Sequence, residues 1–107
     1  MTDEQAARTE VNRIRKKCGM RALGKLKRGI RRHSHSCTIA MSLAGTGVGG
    51  VDHIGAWNKG YTYIIHWQDP AMSRFMDDFD DGKYPHLEMP KSVPMIKRPG
   101  ERKQRPI

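Results

Sequence analysis

The chain has little of what a large core is made from. It holds two Phe, two Trp and three Tyr in 107 residues, and apolar residues reach only 36%. That share is below the norm for globular domains and excludes a second core. No apolar run approaches the ~20 residues that span a bilayer. The start, Met1-Thr2-Asp3-Glu4-Gln5, has no hydrophobic export segment. These absences predict a cytoplasmic protein that does not enter a membrane. Cysteine is scarce too. Small secreted domains are usually stapled by several disulfides, so Cys18 and Cys37 are expected to stay reduced.

What the chain has in excess is positive charge. Lys and Arg number 20 against 11 acids, a net charge of +9. The excess sits at the two ends. Residues 1–36 carry +8 and residues 91–107 carry +5, while 37–69 carry −1 and 70–90 carry −3. Basic arms on a near-neutral body are drawn to phosphate backbones by counterion release. The bland counterpart is a solvated face that only keeps the protein soluble.

The first segment reads as a helix capped by Thr2 or Asp3. Ala7, Val11, Ile14 and Cys18 recur at spacings of four, three and four, which is one helical stripe. Gly19 interrupts it. Leu23, Leu26 and Ile30 resume the spacing on a different face, which predicts a bend or a second helix ending by residues 28–32. His33 to Ser36 reads as a loop, with Ser34 or Ser36 capping a short helix from Cys37 to Gly45. Thr46 to Val51 is too glycine-rich for more than a short strand. Asp52 to Gly60 reads as loop. Tyr61 to Trp67 is the strongest strand, expected to pair with residues 46–54 as an antiparallel hairpin. Asp69-Pro70 opens a last helix with Met72, Phe75, Met76 and Phe79 inward and Gly82 at its end. The expected fold is α+β, ordered α–α–β–β–α. It forms a single domain over 1–90, followed by a basic, proline-rich tail over 91–107 expected to be disordered.

Two stretches together resemble a known group. Ser36-Cys37-Thr38-Ile39-Ala40 resembles a Cys-x-Ile/Leu-Ala helix start, and Phe75 to Leu87 resembles a Phe-x-x-x-Phe-Asp-x-Gly-x-Tyr-Pro-x-Leu ending. In that order they are similar to small uncharacterised proteins of actinobacteria and their phages. The resemblance covers about residues 20–90. It implies a small accessory protein rather than a metabolic enzyme and transfers no catalytic residues. The basic first helix and the basic tail are additions to that pattern.

The chemistry-bearing clusters are weak. His33, His35 and Cys37 alternate, but structural zinc sites show two close ligand pairs, and a second pair is missing. No metal is expected. Gly45-Thr46-Gly47-Val48-Gly49-Gly50 lacks the Lys and Ser/Thr of a phosphate loop, and reads as a bulged strand or a close backbone approach. Asp77, Asp78, Asp80 and Asp81 lack the Glu of a calcium loop and read as a helix end facing solvent, a basic partner or the chain's own basic arm. Cys37 beside His35 lacks a third orienting group. No enzyme and no cofactor is expected.

The basic run is the sharper signal. Arg13, Lys16, Lys17, Arg21, Lys25, Lys27, Arg28, Arg31 and Arg32 of the basic N-terminal helix, together with the tail at 91–107, are the candidate contacts to nucleic acid, DNA before RNA. A winged-helix-like arrangement is compatible with the predicted order. The alternative is a protein-interaction module that binds a host protein through Trp57, expected to be exposed on a loop, and Tyr61 on the hairpin. The sequence assigns no oligomeric state.

Overall fold

The computed structural model describes residues 1–89, so the tail at 91–107 lies outside the described residues. The fold is α+β, with two helices, then a three-stranded antiparallel sheet, then a last helix. No helix among the described residues is long and apolar enough to cross a membrane.

Helix α1 spans Asp3–Lys17 and starts on a capping box. The Gln5 backbone N–H donates to Thr2 Oγ1 at 3.1 Å, and the Thr2 N–H donates to Gln5 Oε1 at 2.8 Å. Such a cap stabilises by about 1 kcal/mol. Ala7, Val11 and Ile14 are buried as the stripe predicts. They belong to one core with Met72, Phe75, Met76 and Phe79 of the last helix, α3, Ala71–Asp80. Phe75 lies between Phe79 and Tyr84, with ring centroids 6.5 and 4.7 Å away. Asp69 Oδ1 accepts from the Ala71 N–H at 2.9 Å, and Gly82 leaves the helix at φ 82°.

The expected second helix over 20–30 does not form. Chain direction changes at Gly19, φ 73°, and residues 20–28 run without helical hydrogen bonds. Cys18 is the exposed C-cap of α1 rather than part of its apolar stripe. The spacing of Leu23, Leu26 and Ile30 misled because the packing is irregular: Leu26 is buried, Leu23 half-buried and Ile30 exposed. Gly29 explains much of this. A Cβ there would lie 2.3 Å from the Cys37 carbonyl carbon and the Thr38 nitrogen. Backbone this close to backbone admits only glycine.

Helix α2, Thr38–Ser42, is short and has no side-chain cap, so neither Ser34 nor Ser36 caps it. The Cys37 N–H donates instead to the His33 carbonyl at 2.8 Å. The sheet is a meander of β1 Gly50–Val51, β2 Gly55–Trp57 and β3 Tyr63–His66. The segment expected as loop therefore contains the central strand. β3 pairs with β2, not with residues 46–54. Asp52 makes the difference: its Oδ1 accepts from the Ile54 and Gly55 N–H groups at 2.8 and 3.1 Å, closing a tight turn that returns the chain early. Gly55 allows the return, since a Cβ there would lie 1.9 Å from the Ile65 carbonyl oxygen.

Candidate nucleic-acid interface

Residues 18–32 form a strap laid over α1 and α2. Its backbone has no neighbouring strand along most of its length. Polar side chains of α1 take that role. Arg15 Nε donates to the Arg21 carbonyl at 2.8 Å, and Arg8 Nη1 donates to the Gly24 carbonyl at 2.7 Å. Asn12 clamps Leu23 from both sides: Nδ2 donates to its carbonyl at 3.0 Å, and Oδ1 accepts from its N–H at 2.7 Å. Arg8, Asn12 and Arg15 are spaced by four and three, so they form one stripe beside the apolar one. The strap runs antiparallel to that stripe.

Helix α2 holds the next stretch. The Lys27 N–H donates to Ser42 Oγ at 2.9 Å, and Thr38 Oγ1 donates to the Lys27 carbonyl at 2.6 Å. Arg15 is itself buried and reaches across with Nη1 to the Ser42 carbonyl at 2.9 Å. That carbonyl belongs to the C-terminal end of α2, where the helix dipole favours a cation. Farther on, the Gly29 N–H donates to the Leu87 carbonyl and the Gly29 carbonyl accepts from the Met89 N–H. The Arg32 N–H donates to Asp80 Oδ1 at 2.8 Å.

The nine nominated cations divide in two. Arg13 is half-buried and paired to the buried Glu10 at 2.7 Å. Arg31 is half-buried and paired to Glu88 at 3.1 Å. Their charge is largely neutralised inside the fold. Lys16, Lys17, Arg21, Lys25, Lys27, Arg28 and Arg32 are exposed. Among the described residues, none of these seven has a carboxylate within ion-pair distance. The strap's fastening uses its backbone and other residues' side chains, so the heads of its five, Arg21, Lys25, Lys27, Arg28 and Arg32, stay free, while Lys16 and Lys17 stand exposed in the last turn of α1.

The acidic end of α3 is spoken for in part. Asp80 holds the Arg32 backbone, Asp78 pairs with Lys83, and Asp77 pairs with His53. The contact with the basic segment runs through the Arg32 backbone N–H, and among the described residues no Lys or Arg side chain of residues 1–36 pairs with these aspartates. Residues 33–37 do not gather as ligands. His33 and His35 are exposed, while burial pushes the Cys37 thiol pKa up. Among the described residues no three His, Cys, Asp or Glu side chains converge on one point. Cys18 and Cys37 are unbridged.

Nothing matches this chain: no family model, no curated protein and no solved structure. The charge and geometry of the strap are therefore what a functional reading rests on.

Trp57 is not the exposed loop residue expected from the sequence. It lies on β2, half-buried, with its ring over Gly50. His35 and Tyr63 meet it edge-on at centroid distances of 6.3 and 5.9 Å. Tyr61 is 76% exposed and holds a left-handed backbone, φ 62°. The winged-helix-like arrangement is absent from the described residues. α2 has five residues and α3 turns an acidic end outward, so no basic helix stands where a groove-reading helix would. Sequence reasoning missed Arg8, Asn12 and Arg15 as clamps. Their signal was present, a polar stripe one residue on from Ala7, Val11 and Ile14.

Proposed function

We propose that this is a small non-enzymatic accessory protein, phage-like in kind and cytoplasmic, that binds nucleic acid through residues 16–32, the end of α1 and the strap that follows it. One observation carries the reading: seven exposed cations, unpaired among the described residues, two at the end of α1 and five on a strap whose backbone is fastened by other groups. Phosphates recognise such an array through counterion release and Coulomb attraction, without base readout. An extended strap also tracks a phosphate chain better than a helix does, because its side chains are not confined to one 3.6-residue stripe.

The test is affinity for a labelled DNA duplex across a salt series. With seven cations on phosphates the log–log slope is expected at about −6, since each neutralised phosphate contributes about −0.9. A flat dependence overturns the reading.

A second reading has its own observation. β3 is an edge strand, and Tyr63 and Ile64 on it are exposed. Edge strands with apolar exposure recruit protein partners. That reading expects a host protein to stay bound at salt that strips DNA.

A further inference from the structure

The β2–β3 turn carries a feature that its own folding does not require. Asn58 organises this turn: its Oδ1 accepts from the Gly60 and Thr62 N–H groups at 2.8 and 3.1 Å, and its carbonyl accepts from the Tyr61 N–H at 3.0 Å. The turn places residue 61 in the left-handed region, φ 62°. Glycine or asparagine fits that conformation at little cost, and a tyrosine does not. The tyrosine does not recover the cost by burial, because it is 76% exposed, more than any other Tyr, Trp or Phe among the described residues. Strain kept at an exposed ring points to something outside the fold.

A cavity of about 110 Å³ lies beside it, lined by His35, Gly49, Trp57, Asn58, Lys59 and Tyr61. Three of these are rings and one is a cation. Trp57 is immobilised: a Cβ on Gly50 would lie 2.6 Å from its ring, and His35 and Tyr63 hold it edge-on. Its Nε1 is buried with no hydrogen-bond partner. Lys59 is exposed and has no carboxylate within ion-pair distance among the described residues. The lining contains no acid.

We propose that this slot takes an unpaired nucleobase, stacked on Tyr61 at the wall formed by Trp57 and His35, with Lys59 on the adjoining phosphate. The proposal rests on the nucleic-acid reading of the strap and adds to it a preference for single strands. A planar ring with a phosphate one sugar away matches rings beside a lone cation. Bases inside a duplex are stacked on each other and do not enter such a slot. A basic peptide is repelled by Lys59, and an apolar one leaves Lys59 unused. The strap then supplies sequence-independent attraction, and the slot supplies the preference for unpaired strands.

The test compares the full chain with Tyr61→Asn and Tyr61→Phe on two probes, a short oligothymidylate and a duplex of equal length. Asparagine accepts the left-handed backbone and removes the ring; phenylalanine keeps the ring. The unaltered protein is expected to prefer the single strand. Tyr61→Asn is expected to lose about tenfold on the single strand, the scale of one stacking interaction, and nothing on the duplex. Its salt slope stays unchanged, and Tyr61→Phe binds as the unaltered protein does. Equal single-strand affinity for Tyr61→Asn and the unaltered protein overturns the proposal, as does an equal loss on both probes. The strap reading survives either result if the duplex slope stays steep. If neither probe binds, that reading fails and the slot proposal fails with it.

Discussion

The strap and the β2–β3 hairpin are both thin segments laid on the same small core, yet they are held by different means. The hairpin is held by a strand ladder and by turns that Asp52 and Asn58 close with their own side chains. The strap has almost no ladder. A polar stripe of α1 and two hydroxyls of α2 replace the neighbouring strand. The difference sets what each segment displays. A ladder uses backbone groups on both sides and leaves alternate side chains facing opposite ways. A strap pinned through its carbonyls by another element's side chains leaves its own side chains free, and in this chain most of those are cationic.

Breaking the strap's fastening is expected to have the largest effect. Arg15→Met removes two hydrogen bonds from a buried guanidinium and orphans the Arg21 and Ser42 carbonyls. A loss of about 3 kcal/mol is expected, given charged hydrogen bonds of about 1.5–3 kcal/mol each, partly offset by the apolar replacement. Thermal or urea unfolding measures it. A change below about 1 kcal/mol would mean the strap holds without its clamp.

Gly29→Ala tests the strap's far end. The new Cβ meets backbone, not a side chain that can rotate away. A destabilisation of about 2–3 kcal/mol is expected, the upper range for an overpacked site. Hydrogen exchange should localise the loosening to the amides of Gly29 and Met89, whose bonds join the strap to the chain after α3.

The hairpin's corresponding effect is smaller and depends on pH. Partial burial pushes the Asp52 carboxyl up, but hydrogen bonds from the Tyr63 hydroxyl and the Ile54 and Gly55 N–H groups outweigh it and hold the pKa below the ordinary value. A lowered folded-state pKa contributes stability above the unfolded-state value of about 4, and that contribution is lost as pH falls through the folded value. Acid unfolding should therefore include an Asp52 component at and below about pH 4, absent in Asp52→Asn. The site is open to solvent, so the component is expected to stay under about 1 kcal/mol. The same contact raises the Tyr63 hydroxyl pKa, so its contribution is present at neutral pH and lost only in strong alkali.

These contrasts also mark what was legible in the sequence. The first and last helices were visible because Ala7, Val11 and Ile14, and Met72, Phe75, Met76 and Phe79, repeat at helical spacing and sit beside caps. β3 was visible through its aromatic and β-branched run. The strap was not, because the groups that fix it lie on α1, in sequence positions earlier than the strap itself. Leu23, Leu26 and Ile30 imitated a helix there. β2 was hidden for a similar reason. Gly55-Ala56-Trp57 has no strand signature, and only the Asp52 turn and the close approach of Ile65 make it one. Of the candidate site, the cations were readable one by one. Which of them are neutralised was not, since Glu88 is distant in sequence from Arg31 and meets it only across the Gly29 bridge.

The smallest expected effect on stability per residue comes with the most direct test. Lys25, Lys27 and Arg28 point into solvent, so changing all three to Ala should shift unfolding by no more than about 0.5 kcal/mol per residue. The same triple variant should flatten the log–log salt slope of duplex binding by about three, because three phosphates are then left without a cation. Arg31→Ala should change the slope less per residue than any of the three, because Glu88 already neutralises it. A triple variant with the unaltered protein's slope and affinity would contradict the account, because the strap's free cations would then not be where phosphate binds.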